Sequence, residues 1–326
     1  MPIAPNNERS EFYARLKTKS AAPLWEVLSD IVRKDPRTSV QAAFWKYDEM
    51  RPFIAEAGRL ITADEAERRV LILENPGLAG MSRVTQSLYA GLQLIMPGEH
   101  AHSHRHTASA LRFILEGSGA YTSVNGERLS MKPGDFILTP FWSYHDHGNP
   151  GSEPVVWLDG LDIPTVNMFD TSFFEKEADH DHDEEGAPVA KFVESSVMKY
   201  PYDPSRAKLA QMAASGAADA RFGVKFEYRN PQTGSPVLPT IGAWLQLLPK
   251  GFKGQPYRST DATIFCAVEG HGTSTIGDRT FAWGPRDIFV APSWHAVSHA
   301  ASDEAVLFSF SDRPAQQSLG IWREDA

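Results

Sequence analysis

Two stretches of this 326-residue chain repeat one pattern, and this repeat constrains the fold more than any other feature. Residues 98–117 and 251–270 carry several identical residues at one constant offset. The matched pairs are Gly98 and Gly251, Arg105 and Arg258, Thr107 and Thr260, Glu116 and Glu269, and Gly117 and Gly270. Further along, residues 134–147 and 286–299 again share Asp, Pro, Trp and His after a one-residue deletion. A pattern that occurs twice predicts two copies of one small domain.

Each copy consists of short β-type runs separated by turn residues. The Asn125-Gly126 pair is typical of a tight hairpin, because both central positions of that turn need a positive φ. Evenly spaced short strands indicate a barrel or a sandwich. We therefore predict an all-β dominated fold of two β-barrels, with short amphipathic helices over residues 8–34 and a helix near residues 204–215.

The predicted boundaries divide the chain into four segments. Residues 1–84 are predicted to pack on the barrels as a helical and extended segment, and residues 85–170 to form the first barrel. Residues 171–225 are predicted to form a linker with an acidic loop, and residues 226–326 to form the second barrel. That loop, residues 175–186, has almost no apolar content, which is typical of a solvated surface segment.

Composition excludes some partners. A net charge of −9 argues against a nucleic-acid or anionic-membrane surface, but one buried arginine can still attract a small anion. The single cysteine, Cys266, allows no intrachain disulfide, which fits a reducing compartment. The N-terminal residues lack the order of a signal peptide, and no apolar run is long enough for a membrane span. We expect a cytoplasmic protein.

Histidines cluster in the first copy. His104 and His106 alternate along a predicted strand and therefore point to one face, whereas Arg105 points to the other. A second element supplies His145. Three neutral imidazoles that converge on one point form a metal site with open positions, as a catalytic metal requires. Two alternating histidines alone are also typical of a polar barrel lining, and the third histidine favours the metal site.

These motifs resemble those of the cupin superfamily. The residues that fit the spacing of the first cupin motif are Gly98, His104, His106 and Gly117, and those that fit the second are Gly134, Pro140, His145 and Asn149. Ala110 stands where cupins usually carry a glutamate ligand, so the resemblance implies a three-histidine site. The matching positions of the second copy hold Tyr257, Ser259 and Val297, which predicts a metal-free second barrel.

The resemblance is closest to one cupin family, the gentisate 1,2-dioxygenases, which also include salicylate and 1-hydroxy-2-naphthoate 1,2-dioxygenases. It covers nearly the whole chain and is carried by residues 97–149, 248–265 and 292–299. It implies Fe(II) on the three histidines and dioxygen as co-substrate. It also implies ring cleavage between the carboxyl-bearing and hydroxyl-bearing carbons, with maleylpyruvate as the product from gentisate. A homotetramer is implied as well.

Several residues are predicted to act around the metal. The guanidinium of Arg112 could hold a carboxylate through two parallel hydrogen bonds, although a salt bridge at the barrel mouth is an alternative. His147 shares the face of His145 and could orient a ligand oxygen or act as acid or base. The resemblance implies pocket positions for Gln93 and Asp159, for which a purely structural role is equally open.

Neighbours of these residues complete the predicted pocket. Tyr89 and Gly91 share the strand face of Gln93, and Gly91 would leave room for the ring. Trp157 shares the face of Asp159. The sequence does not choose among three arginines as candidates for the pocket lid, namely Arg68, Arg69 and Arg83.

The substrate is the least constrained part of the prediction. Relatives that open salicylate tend to carry tryptophan at the position of Tyr89, and a tyrosine hydroxyl could meet a hydroxylated ring, which favours gentisate. Salicylate and 1-hydroxy-2-naphthoate stay open as alternatives. So do a cupin isomerase or decarboxylase, and a non-catalytic module that binds an aromatic acid with a metal.

Overall fold

The computed structural model describes residues 6–177, 191–193 and 196–325. The predicted acidic loop lies outside the described residues from residue 178 onward. The chain forms two compact units, residues 1–37 and residues 38–326. The first unit contains α1 (Asn6–Lys17) and α2 (Leu24–Ile31), as predicted for residues 8–34.

The second unit begins with elements that lead into both barrels. They are β1 (Ala43–Trp45), α3 (Tyr47–Leu60), α4 (Ala63–Ala66) and β2 (Val70–Ile72), followed by a 3-10 turn at Pro76–Leu78. Thr62 and Glu65 form a capping box at the start of α4, because each side chain bonds the backbone N–H of the other residue. Directly after α4, Glu67 has a φ of +50°. This conformation turns the chain out of the helix and places Arg68 ahead of β2.

The first barrel follows as eight strands. They are β3 (Tyr89–Ile95), β4 (His100–His106), β5 (Ala110–Glu116), β6 (Tyr121–Val124), β7 (Glu127–Ser130), β8 (Phe136–Thr139), β9 (His145–Gly148) and β10 (Val155–Leu161). Asn125 and Gly126 join β6 to β7 with φ values of +47° and +84°, as the tight hairpin required.

The connection to the second barrel contributes strands to the first. It contains α5 (Ile163–Met168), β11 (Phe174–Lys176), β12 (Lys191–Phe192), β13 (Lys199–Tyr200) and α6 (Tyr202–Ala214). One sheet of the first barrel has the order β13-β8-β5-β10-β3-β2, and the other has the order β11-β4-β9-β6-β7-β12. The predicted linker therefore forms three edge strands, and α6 confirms the helix predicted near residues 204–215.

The second barrel repeats the arrangement. Its elements are β14 (Val224–Glu227), β15 (Gly242–Leu248), β16 (Phe252–Lys253), β17 (Arg258–Ser259), β18 (Thr263–Glu269), β19 (Gly272–Ile276), β20 (Arg279–Trp283), β21 (Ile288–Ala291), β22 (Val297–Ala301), β23 (Ala305–Ser311), α7 (Arg313–Ser318) and β24 (Glu324–Asp325). Its sheets have the orders β1-β21-β18-β23-β15-β14 and β16-β22-β19-β20, and β17 pairs with β24. The two barrels confirm the predicted fold class. β1, which precedes the first barrel in the chain, pairs with β21 and so becomes the edge strand of a sheet in the second barrel.

Apolar packing holds the barrels together and distinguishes their interiors. Phe113 of the first barrel stacks on Phe308 of the second, with ring centroids 4.2 Å apart, inside a shared core. The interior of the second barrel is packed with large apolar side chains, including Phe265, Phe289 and Trp283. In the described part of the chain, no helix is long and apolar enough to cross a bilayer.

Candidate metal centre

Three histidines meet inside the first barrel. β4 and β9 run antiparallel with His104 opposite His145, and the two-residue step along β4 carries His106 to the same place. Their potential ligand atoms all lie within 4.8 Å of one another, and the rings of His104 and His145 are 4.2 Å apart. Among the described residues, this is the one cluster of three or more histidine, cysteine or acidic side chains that could hold a metal ion.

Backbone carbonyls fix the orientation of these rings. Nδ1 of His106 lies 2.7 Å from the oxygen of Ala108, and Nδ1 of His145 lies 2.9 Å from the oxygen of Ser143. Nδ1 of His104 lies 3.3 Å from the carbonyl oxygen two residues earlier. When each Nδ1–H is donated to its carbonyl, the lone pair of Nε2 is left for a metal. The donor set therefore fits a divalent ion that keeps open coordination positions.

The rings are neutral near pH 7, because their pKa values are lowered. Burial and the charge of Arg68 lower the pKa of His104 to about 3. Burial also lowers the pKa of His106. Burial, together with the charge of Arg112, holds the pKa of His145 well below its usual value. Neutral imidazole is the form that binds metals, so these three side chains have no protons to lose first.

Arg112 and Asp159 form a buried pair in the same barrel. They lie opposite each other on β5 and β10, with 3.5 Å between Nε and Oδ1. Nη1 of Arg112 donates to the hydroxyl of Thr139 at 2.5 Å, and the indole N–H of Trp157 donates to Asp159 at 2.9 Å. Burial raises the pKa of Asp159 to about 6, although Arg112 and the Trp157 hydrogen bond oppose this shift. Trp157 is fully buried, so this hydrogen bond is made away from solvent.

Of the three arginines that the sequence does not separate, Arg68 reaches the histidines. Its guanidinium contacts Nδ1 of His104, and burial lowers its pKa to about 10. Arg69 instead forms an ion pair with Glu99 at 2.7 Å. Arg83 is bonded within an exposed loop. The positive φ of Glu67 orients the chain so that the Arg68 side chain points towards the histidines. No local sequence pattern predicts this φ.

The contact between Arg68 and His104 is an alternative to metal ligation. A guanidinium only donates hydrogen bonds, so Arg68 can remain beside Nδ1 of His104 only when that nitrogen carries no hydrogen. Ligation through Nε2 places the hydrogen of the neutral ring on Nδ1. A metal on Nε2 of His104 and a hydrogen bond from Arg68 to Nδ1 of the same ring therefore exclude each other.

His147 follows His145 by two residues on β9 and is buried. Its ring is 5.8 Å from that of His145 and 5.5 Å from that of Trp157. Nδ1 is 2.8 Å from the hydroxyl of Thr122 on β6, and Nε2 is buried with no hydrogen-bond partner in the described structure. Burial, followed by the charge of Arg112, holds the pKa of His147 well below its usual value. The ring is therefore a neutral group with one free nitrogen.

Tyr89, Gly91 and Gln93 share one face of β3, and Gln93 lies opposite Trp157. A Cβ at Gly91 would lie 2.5 Å from Cγ1 of Val70 and 2.9 Å from the hydroxyl of Tyr89. The glycine therefore makes room for the tyrosine hydroxyl. Burial, followed by the charge of Asp159, raises the pKa of Tyr89, so this phenol stays protonated.

A groove of about 300 Å³ opens beside His104. It is lined by the segment from α4 to Arg68 on one side and by β4 and β11 on the other. Glu67 and Lys176 form an ion pair across these two sides, with 2.7 Å between their charged atoms. The strand β11 was not anticipated as part of the site, since it lies in the predicted acidic linker.

The second barrel keeps the framework and lacks the site. Tyr257 is paired with Val297, as His104 is with His145. Phe265 lies opposite Ser309, at the level where the first barrel has Arg112 and Asp159. The residue correspondence predicted from the sequence repeat is therefore reproduced by the strand pairing.

Two packed barrels with one three-histidine centre define a bicupin that can bind a metal. The Cupin domain family model matches residues 91–161. Gentisate 1,2-dioxygenase 1 of Aquipseudomonas alcaligenes is 50% identical, and the match covers 98% of this chain and 97% of that protein. The 5-aminosalicylate 1,2-dioxygenase of a Comamonas species is 37% identical over 94% of this chain and 87% of its own length.

A solved structure agrees over the full length. A tyrosine-for-tryptophan variant of the salicylate 1,2-dioxygenase of Pseudoaminobacter salicylatoxidans, in complex with gentisate, has a TM-score of 0.89 and 30% identity. The match covers 100% of this chain and 96% of that one. The chain therefore belongs to the gentisate 1,2-dioxygenase family, whose members are ring-cleaving oxidoreductases. The resemblance predicted from the sequence motifs is confirmed.

Proposed function

We propose that this protein catalyses the Fe(II)-dependent opening of gentisate by dioxygen. The ring is cleaved between the carbon that bears the carboxylate and the neighbouring carbon that bears the hydroxyl, and both oxygen atoms enter the product, maleylpyruvate. One observation carries the proposal: three imidazoles meet inside the first barrel, and the buried guanidinium of Arg112 is close enough that burial and its charge together lower the pKa of His145. That combination suits a metal and an anionic aromatic acid together.

His104, His106 and His145 would hold the metal through Nε2. Three neutral ligands leave the +2 charge of the ion uncompensated, and this favours an anionic substrate that binds through two oxygens. When bound, Fe(II) supplies the redox chemistry that lets an aromatic ring react with dioxygen. The choice of iron over zinc or copper rests on family membership, since ligand type alone does not select it.

The substrate carboxylate would be held by arginine. Arg112 is fixed at one end by Thr139, and its Nε is buried without a hydrogen bond in the described structure. A planar guanidinium matches the two oxygens of a carboxylate. Arg68, once turned from His104, offers a second guanidinium from the mouth of the site.

His147 and Asp159 would act on the hydroxyl groups and on dioxygen. Nε2 of His147 is available on the inner face of β9, two residues beyond His145. The carboxylate of Asp159, held by Trp157, keeps Arg112 oriented, and its raised pKa lets it exchange a proton near neutral pH. Gln93 would complete the polar wall beside them.

Tyr89 and Gly91 support gentisate over salicylate. The glycine leaves space that the Tyr89 hydroxyl reaches, and this hydroxyl can bond the extra ring hydroxyl of gentisate. Salicylate has no such group.

The remaining proposals concern assembly and location. Family membership supports a homotetramer. The net charge of −9 and the single cysteine support a cytoplasmic enzyme without nucleic-acid or membrane partners.

Oxygen uptake tests the proposal. Protein loaded anaerobically with Fe(II) is mixed with gentisate, salicylate or 1-hydroxy-2-naphthoate and then exposed to air, with Zn(II)-loaded protein as the matched control. We expect uptake with gentisate, one dioxygen per ring opened, and none with zinc. Binding without uptake for all three acids would indicate a non-catalytic module. Conversion before air is admitted would indicate an isomerase or a decarboxylase.

A further inference from the structure

A hydroxyl on a neighbouring strand faces the imidazole of His147. Thr122 is 0% exposed on β6 and lies directly opposite His147 of β9. Its Oγ1 is 2.8 Å from Nδ1, which is its one side-chain hydrogen bond among the described residues. Nδ1 thus faces the neighbouring strand, so Nε2 points away from it, and the ring centroid lies 5.8 Å from that of His145.

The second barrel contains the same pair without a metal centre. Oγ of Ser274 is 2.7 Å from Nδ1 of His299, and these residues again lie opposite each other on adjacent strands. The indole N–H of Trp283 donates a hydrogen bond to Oγ of Ser274 at 2.8 Å. The Ser274 hydroxyl is therefore free to donate its own hydrogen bond to Nδ1 of His299. The free nitrogen of His299 faces packed aromatic rings, with Phe265 at 5.0 Å between centroids.

Counting donors and acceptors decides which nitrogen of His147 carries the hydrogen. If Nδ1–H donated to Thr122, the hydroxyl hydrogen of Thr122 would be buried without an acceptor, whether or not a substrate is present. If Thr122 donates to Nδ1, its hydrogen is bonded, and the ring hydrogen sits on Nε2. The single donor then left unpaired is Nε2–H, which faces the site where a substrate oxygen can accept it. Only the tautomer with the hydrogen on Nε2 allows every donor of Thr122 and His147 to be hydrogen-bonded when a substrate is bound.

We propose that Thr122 is a positioning residue, whose hydroxyl sets the hydrogen of His147 on Nε2 and aims it at an oxygen of the bound aromatic acid or of dioxygen. The inference rests on the proposed function of the site. It makes His147 a hydrogen-bond donor in the resting enzyme. It also keeps the fourth imidazole from ligating the metal, because a protonated Nε2 has no lone pair to offer.

Kinetics of three variants test the positioning role. Thr122→Val keeps the shape and removes the hydroxyl, Thr122→Ser restores a hydroxyl, and Ser274→Ala removes the matching hydroxyl of the second barrel. We expect Thr122→Val to lower kcat about tenfold, with metal content and KM within twofold of the unmodified protein. Thr122→Ser should recover most of kcat, and Ser274→Ala should leave it unchanged. Full kcat in Thr122→Val, or an equal loss in Ser274→Ala, would overturn the proposal.

Nitrogen NMR tests the same inference without turnover. Protein labelled with ¹⁵N-histidine and loaded with Zn(II) is compared with its Thr122→Val variant, and the His147 signals are assigned from His147→Gln. We expect Nδ1 of His147 to resonate as an unprotonated nitrogen and Nε2 as a protonated one, with this difference lost in the variant. The opposite tautomer in the unmodified protein would sink the proposal. The spectrum reports the tautomer of His147 whether or not any aromatic acid is turned over. Failure of this inference can therefore be distinguished from failure of the proposed function.

Discussion

The guanidinium of Arg112 faces the carboxylate of Asp159 inside the first barrel, with Nε and Oδ1 3.5 Å apart and each residue 4% exposed. Two buried charges of opposite sign stabilise each other, and removing either one leaves the other uncompensated. Burial and the charge of Arg112 together lower the pKa of His145, so the pair lies within electrostatic reach of the three histidines. To hold a substrate carboxylate as proposed, Arg112 must keep donors available while it remains paired with Asp159.

Arg112→Lys should weaken substrate capture and leave the metal in place. An ammonium keeps the positive charge but cannot form the two parallel hydrogen bonds of a guanidinium. We expect KM for gentisate to rise about tenfold or more, because a hydrogen bond to a charged group contributes about 1.5–3 kcal/mol. Steady-state oxygen uptake, with metal analysis of the same samples, measures this. A variant that loses its metal would show that Arg112 supports the histidines instead.

Activity should fall as the pH drops through about 6, the pKa to which burial raises Asp159. Protonation removes the negative charge that orients Arg112, so log kcat/KM should decline below this value. Asp159→Asn should lower activity and abolish this acidic limb. The effect on stability has the opposite sign. A carboxyl whose folded pKa lies above the ordinary 3.8 destabilises the native state as pH rises from about 4 to 6. A pH profile that is unchanged in Asp159→Asn would contradict the assignment.

His145→Ala should abolish metal binding and activity together. The ring is 2% exposed and oriented by a backbone carbonyl, and its removal leaves two of the three predicted ligands. His295→Ala in the second barrel is the matched control, because that histidine is also oriented by a carbonyl, at 3.1 Å, yet lies at no matching ligand position. Metal content per chain and oxygen uptake provide the readouts. Full metal occupancy in His145→Ala would refute the three-histidine centre.

Gly91→Ala should disturb Tyr89 and reduce turnover of gentisate while the metal stays bound. The added Cβ would lie 2.5 Å from Val70 and 2.9 Å from the Tyr89 hydroxyl, so one of them must move. Overpacking of this kind costs about 1–3 kcal/mol. Adding Val70→Ala provides space and should restore part of kcat/KM. If the double variant is no better than Gly91→Ala, the clash with Val70 is not the cause.

The repeat and its histidines allowed much of this architecture to be predicted. The spacing of His104, His106 and His145 survives in the strand register, because alternation along β4 and pairing with β9 are local consequences of β-structure. The position of Arg68 was not predictable from sequence. It depends on a positive φ at Glu67 and on how α4 leads into β2, neither of which leaves a pattern in the residues.

Hydroxyl partners were missed for a similar reason. Thr122 and Thr139 are ordinary strand residues, and their importance comes from the strand that happens to lie next to each. The repeat did contain a signal for one of them, since Ser274 aligns with Thr122 at the offset that aligns His299 with His147. The roles of the predicted pocket residues remain predictions that the variants above address.

The strand exchange between distant segments has a consequence for how this chain can be divided. β1 pairs with β21, so a second half cut free of residues 43–45 would expose the backbone of a buried strand. Likewise, a first half ended at residue 170 would lose β11 and β13, which cover the edges at β4 and β8. Strand edges with unpaired backbone N–H and C=O groups can form hydrogen bonds with strands of other molecules. The two copies are thus no longer separable modules, and either half alone should aggregate.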